Sequence, residues 1–127
     1  MALKVTSWPE GFDYRVVYED NATNTASKHV TGTSGKLHSV TINNSQGTDS
    51  CFLKIADSTS ATPGTTEPDW LIRCGSANTE TYSIPWGISF SNGISFWLTR
   101  NEVTSDTTVP ALSTNGTVKV TILTSSS

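Results

Sequence analysis

Residues 84–100 read IPWGISFSNGISFWLTR, and the apolar positions fall on alternate residues. Ile88, Phe90, Ile94, Phe96 and Leu98 are apolar, with Ser89, Ser91 and Ser95 between them. That period of two belongs to strands with one buried face, because successive strand side chains point to opposite sides. The turn sets the register. A two-residue Asn92-Gly93 turn would place Phe90 opposite Ser95 and scatter the apolar groups over both faces. A three-residue Ser91-Asn92-Gly93 loop places Phe90 opposite Ile94 and Ile88 opposite Phe96, gathers all five on one face, and puts Gly93 where a left-handed residue is needed. The stretch therefore predicts a hairpin with the three-residue loop, in a β domain with a Trp- and Phe-rich core.

Composition supports strands elsewhere. Ser and Thr number 18 and 21 of 127 residues, and only 15% of residues are charged. Thr favours strands, Ser favours turns, and few long charged side chains are left to solvate helices. No apolar stripe of helical period and length occurs. A chain of this length is expected to be one domain with a core large enough to need no metal or staple. Short strands are expected at residues 14–18, 29–33, 37–43, 50–57, 68–74, 80–84, on either side of the Ser91 loop, and at 118–123. About eight short strands with no helix predict an antiparallel two-sheet sandwich, jelly-roll-like, with an immunoglobulin-like order as the alternative. Residues 1–13 read as an N-terminal arm broken by Pro9 and Gly11, residues 14–124 as the sandwich, and residues 125–127 as a disordered tail.

Charge and patterning narrow the function. The net charge is −3 and the eight Lys and Arg form no cluster, which argues against nucleic acid as a partner. No apolar run approaches a membrane span, and the N-terminus lacks the pattern of a secretory signal, so a soluble chain made in the cytoplasm is expected. No ligand spacing for zinc or an EF-hand calcium loop is present, and no cofactor or metal is expected. His29 and His38 lie in no nucleophile-base motif, and the carboxylates of Glu19, Asp20, Asp49, Asp57, Glu67, Asp69, Glu102 and Asp106 identify no catalytic pair. No enzyme is therefore expected.

Cys51 and Cys74 fall opposite each other if residues 50–57 and 68–74 pair with Ile55 against Trp70 and Leu53 against Ile72. A cross-strand disulfide fits that register. The preferred reading is two small buried thiols, since nothing in the sequence implies an oxidising compartment. Four aromatics stand out as candidate interface residues: Trp8 and Phe12 on the arm, Trp86 beside Pro85, and Trp97, which alternates out of phase with Phe96 and Leu98. Cover by a loop or a neighbouring subunit is the preferred reading of Trp97. A sugar-stacking platform of Trp70, Trp86, Trp97 and Tyr82 is the alternative.

The segment TASKHVTGTSGKLHSVTINN, residues 25–44, resembles small β-sandwich structural proteins of tailed bacteriophage virions, where a Gly/Ser turn precedes a strand of this kind. CFLKIAD (residues 51–57), the Pro63-Gly64-Thr65-Thr66 loop, IPWGISFSNGIS (residues 84–95) and VKVTIL (residues 118–123) follow in the same order and spacing. The resemblance covers residues 14–123. It implies a jelly-roll or Ig-like module, often a homotrimer, of the head decoration (cement) type, with the major capsid protein as partner and the outer capsid surface as location. The two Cys and the Trp-bearing arm depart from the simplest members. A carbohydrate-binding or host-adhesion module of a phage tail or fibre is the alternative, with a glycan as partner.

Overall fold

The computed structural model describes residues 3–7, 14–27 and 34–126. The described residues form eight strands: β1 (Leu3–Ser7), β2 (Tyr14–Glu19), β3 (Gly35–Asn44), β4 (Cys51–Asp57), β5 (Trp70–Cys74), β6 (Asn78–Phe90), β7 (Ile94–Thr99) and β8 (Lys119–Ser126). They form a five-stranded sheet in the order β1-β2-β8-β3-β6 and a three-stranded sheet in the order β5-β4-β7. All pairings are antiparallel. The strand expected at residues 29–33 lies outside the described residues.

The pairings nest. β2 pairs with β8, Ser27 bridges to Phe96 of β7, β3 pairs with β6, and β4 pairs with β5. Successive pairs alternate between the two sheets, which is the winding of a jelly roll. The immunoglobulin alternative, with strands A, B, E and D in one sheet and C, F and G in the other, does not apply.

Alternation of side chains explains where the core sits. Val17, Leu37, Val40, Ile42, Val120 and Ile122 of the larger sheet meet Leu53, Ile55, Phe96 and Leu98 of the smaller one, all buried. On the outer face of the larger sheet, Ser39, Thr41, Asn43 and Thr121 alternate with these core residues, and Thr41 Oγ1 lies 2.9 Å from Thr81 Oγ1 across β3 and β6. Buried Asn44 ties two turns together, its Nδ2 donating to the carbonyls of Asp49 and Gly75 at 2.9 and 3.0 Å.

The hairpin expected around Ser91-Asn92-Gly93 is corrected. β6 pairs with β3 and β7 pairs with β4, so the three-residue loop is a corner that carries the chain from one sheet to the other. Gly93 has a φ of 155°, not the helical left-handed value a hairpin loop would use. The expected burial nonetheless holds: Phe90, Ile94, Phe96 and Leu98 are core residues, and Ile88 packs against them. Two layers facing each other bury the same alternate positions that a hairpin face would.

Both ends of the chain are tied into the larger sheet. Part of the arm is a strand, since Leu3–Ser7 pairs with β2 along its whole length. β8 continues through residues expected to fray, with Ser125 paired to Tyr14 and Lys36, and Ser126 to Gly35.

Candidate interaction edge

β6 is an edge strand of the larger sheet and β5 an edge strand of the smaller one. Tyr82 and Glu80, paired with the core residues Val40 and Ile42, point inward from β6. They close the gap between the sheets by bonding the backbone of the β5 end: Tyr82 Oη donates to the Arg73 carbonyl at 2.7 Å, and the Gly75 amide donates to Glu80 Oε2 at 3.0 Å. Burial, with Glu80 adding to it, pushes the Tyr82 phenol above its ordinary value, which favours the neutral donor this contact needs.

The edge is interrupted in its middle. Leu37 pairs with Ile88 and Ser39 with Ser83, so four residues of β6, Ile84, Pro85, Trp86 and Gly87, stand opposite the single residue His38. Against β8, His38 is itself the extra residue of a bulge. Pro85 has no amide hydrogen to lose, which suits an edge position. Gly87 has a φ of 78°, and a β-carbon there would lie 2.9 Å from His38 Cε1. The excursion holds Trp86 out into solvent with 80% of its surface exposed. Trp70, Leu71 and Tyr82 on the same two strands are also exposed, at 44%, 45% and 38%. Bulges of this kind re-aim a side chain and blunt a strand edge against indiscriminate pairing. Beside the excursion, His38 Nε2 lies 2.7 Å from Ser125 Oγ, and the Tyr14 ring is tilted against the imidazole with centroids 5.2 Å apart.

The four candidate interface aromatics separate. Trp86 lies on this edge. Trp97 does not: it is on the outer side of β7 but is 1% exposed, covered within the chain and packed with Ala26, Ala56 and Ala61. Cover by loops of the same chain, residues 22–27 and 58–69, replaces cover by a neighbour. Trp97 is thus neither an interface residue nor part of a sugar platform, and the platform reduces to Trp70, Tyr82 and Trp86. Trp8 and Phe12 lie outside the described residues.

The polar candidates have structural duties. The Asp49 carboxylate pairs with Arg100 at 2.7 Å, Asp69 Oδ2 accepts the Asp57 amide at 2.7 Å, and Glu19 Oε1 accepts the Asn21 amide at 3.1 Å. Asp57 accepts four donors from Ser91, Asn92 and Gly93. Burial pushes its carboxyl up, but these bonds outweigh it and hold the group below the ordinary carboxylate range. Lys54, paired with Trp97 and without exposed surface, donates from Nζ to the carbonyls of Val103 and Asp106 at 2.6 and 3.3 Å. Desolvation lowers its ammonium below the ordinary lysine value, partly offset by Asp106 and Glu102. Its role is to fasten the loop after β7 over the smaller sheet. His38 and Ser125 are a contact that sequence spacing could not reveal, since 87 positions separate them. His29 lies outside the described residues.

Among the described residues, no group of three or more His, Cys, Asp or Glu is placed to hold a metal ion, and no helix is long and apolar enough to cross a membrane. No known family model, no curated protein and no solved structure matches the chain.

Proposed function

We propose that the chain is a non-enzymatic structural protein of a tailed-phage virion, a head decoration protein that stabilises the capsid by binding its outer shell. The observation that carries this reading is Trp86, held 80% exposed by a four-residue excursion in an otherwise regular edge strand. Trp86 stands with exposed Trp70, Leu71 and Tyr82 on the two edge strands, and Trp is prominent among residues that dominate binding energy. The resemblance of residues 14–123 to virion β-sandwich proteins supports the same reading. The partners on this reading are the major capsid protein and other copies of the chain, as a homotrimer matching a three-fold lattice position. The outer shell is the location. Sparse charge suits such packing, because few ions must be desolvated when subunits meet.

The test is co-sedimentation with empty shells assembled from the major capsid protein encoded alongside this chain. Saturable binding that Trp86→Ala weakens at least tenfold is expected. Absence of binding at protein concentrations well above the micromolar range would remove the reading.

Trp70, Tyr82 and Trp86 together favour one second reading, a glycan-binding or host-adhesion module. Aromatic faces stack on sugar rings, and these three stand exposed on β5 and β6. Quenching of Trp fluorescence by neutral oligosaccharides, absent in Trp86→Ala, would favour it over capsid binding.

A further inference from the structure

Cys51 and Cys74 are the reactive pair that the function above does not use. They are direct cross-strand partners on β4 and β5, both fully buried, and both belong to the core between the sheets. Opposed residues on one face of an antiparallel pair bring their β-carbons to about 4.5–5.5 Å, close to the separation a disulfide spans. The neighbouring Cys74 raises the Cys51 thiol, and both cysteines are free. Cys74 Sγ also lies 3.5 Å from the carbonyls of Ile42 and Asn78. We propose that this pair is a latent staple, a buried dithiol that closes to an intramolecular disulfide when the folded chain meets a small-molecule disulfide oxidant.

The reaction is thiol–disulfide exchange. One cysteine thiolate attacks a sulfur of oxidised glutathione, forming a mixed disulfide and releasing one glutathione thiolate. The second cysteine thiolate attacks the protein sulfur of that mixed disulfide, forming the Cys51–Cys74 bond and releasing the second glutathione. The cysteine pair loses two electrons and two protons, and the oxidant becomes two thiols.

Burial controls the rate. It pushes the Cys51 thiol up to about 12, with the neighbouring Cys74 adding to it, so the closed fold presents almost no thiolate at neutral pH. Attack waits for the edge to open. β5 is only five residues long, pairs with one strand, and is clipped to β6 by the Tyr82 and Glu80 contacts. Short edge strands open locally at far lower cost than global unfolding. Once closed, the bond spans the long loop between β4 and β5 and removes its freedom from the unfolded chain. On the virion reading, the chain is made in a reducing cytoplasm and serves outside it, so closure would follow release.

The experiment incubates the full chain, folded, with excess oxidised glutathione at neutral pH. It counts thiols after denaturation, reads the intact mass, and follows thermal melting. The expected product has lost both thiols and two hydrogens, carries no glutathione, has the mass of a single chain, and melts about 10 °C higher until dithiothreitol reverses the change. Cys74→Ser should stop at the glutathione adduct or at a free thiol. Tyr82→Phe should speed closure several-fold without changing the product, because it removes the clip on Arg73. Two persisting thiols under conditions in which the urea-unfolded chain closes would overturn the proposal. So would a chain-to-chain disulfide, or a closed product that melts no higher than the reduced chain. None of these outcomes depends on capsid binding, so the two proposals fail separately.

Discussion

The carboxylate of Asp57, the last residue of β4, accepts the backbone amide of Asn92 at 2.8 Å, across 35 positions of sequence. The same carboxylate takes the Ser91 amide and hydroxyl at 3.1 Å each and the Gly93 amide at 3.3 Å. One side chain thus supplies the hydrogen bonds of the corner that carries the chain from the larger sheet to the smaller one. Asn in its place would keep the shape but lose the charge. Asp57→Asn should cost about 2 kcal/mol at neutral pH, in the range of hydrogen bonds to charged groups. Because the folded carboxyl lies below its ordinary value of 3.8, its contribution is present above that value and is lost as pH falls through the folded value. Urea denaturation of both proteins at neutral pH and in increasingly acidic buffer checks this, with the gap expected to narrow as the pH falls.

Phe96 is a fully packed core residue of β7, paired with Ile55. Phe96→Ala should destabilise by about 3 to 5 kcal/mol through lost transfer energy and the cavity left behind. A change below about 1 kcal/mol in chemical denaturation would contradict the burial of this face.

Trp86 and Gly87 should behave oppositely in stability. Trp86→Ala touches no core and should leave stability within about 0.5 kcal/mol. Gly87→Ala must either move the His38 ring, which holds Ser125, or abandon the positive φ, and should cost about 1 to 3 kcal/mol. Both should weaken binding at the edge, the first by losing the anchor and the second by displacing it. Thermal melts and co-sedimentation on the same preparations separate the two effects.

The N-terminal arm offers a fourth test. β1 adds a fifth strand at the edge opposite β6 and pairs only with β2. Deleting residues 1–12 should leave the jelly roll folded, because the core residues lie on β2 to β8 and the segments between them. It should weaken self-association. Light scattering of both chains reads this directly, with a trimer expected only when the arm is present. A large fall in the melting temperature of an already monomeric protein would show instead that β1 stabilises the fold.

Residues 84–100 and the Thr-rich composition carried what the sequence determined by itself. Alternation is a local property: it says which side of a strand is buried, so Ile88, Phe90, Ile94, Phe96 and Leu98 were legible as core. The β4–β5 register with Ile55, Leu53 and Cys51 against Trp70, Ile72 and Cys74 was one the sequence allowed, because it keeps the apolar sides together, and the structure adopts it. Which sheet each strand joins was decided only by tertiary structure. A corner between two facing layers and a hairpin within one layer bury the same alternate residues, so hydrophobic pattern cannot tell them apart. The cover over Trp97, the excursion that exposes Trp86 and the His38–Ser125 contact were hidden for the same reason. Each depends on segments far apart in the chain meeting across a sheet, and no local spacing encodes that meeting.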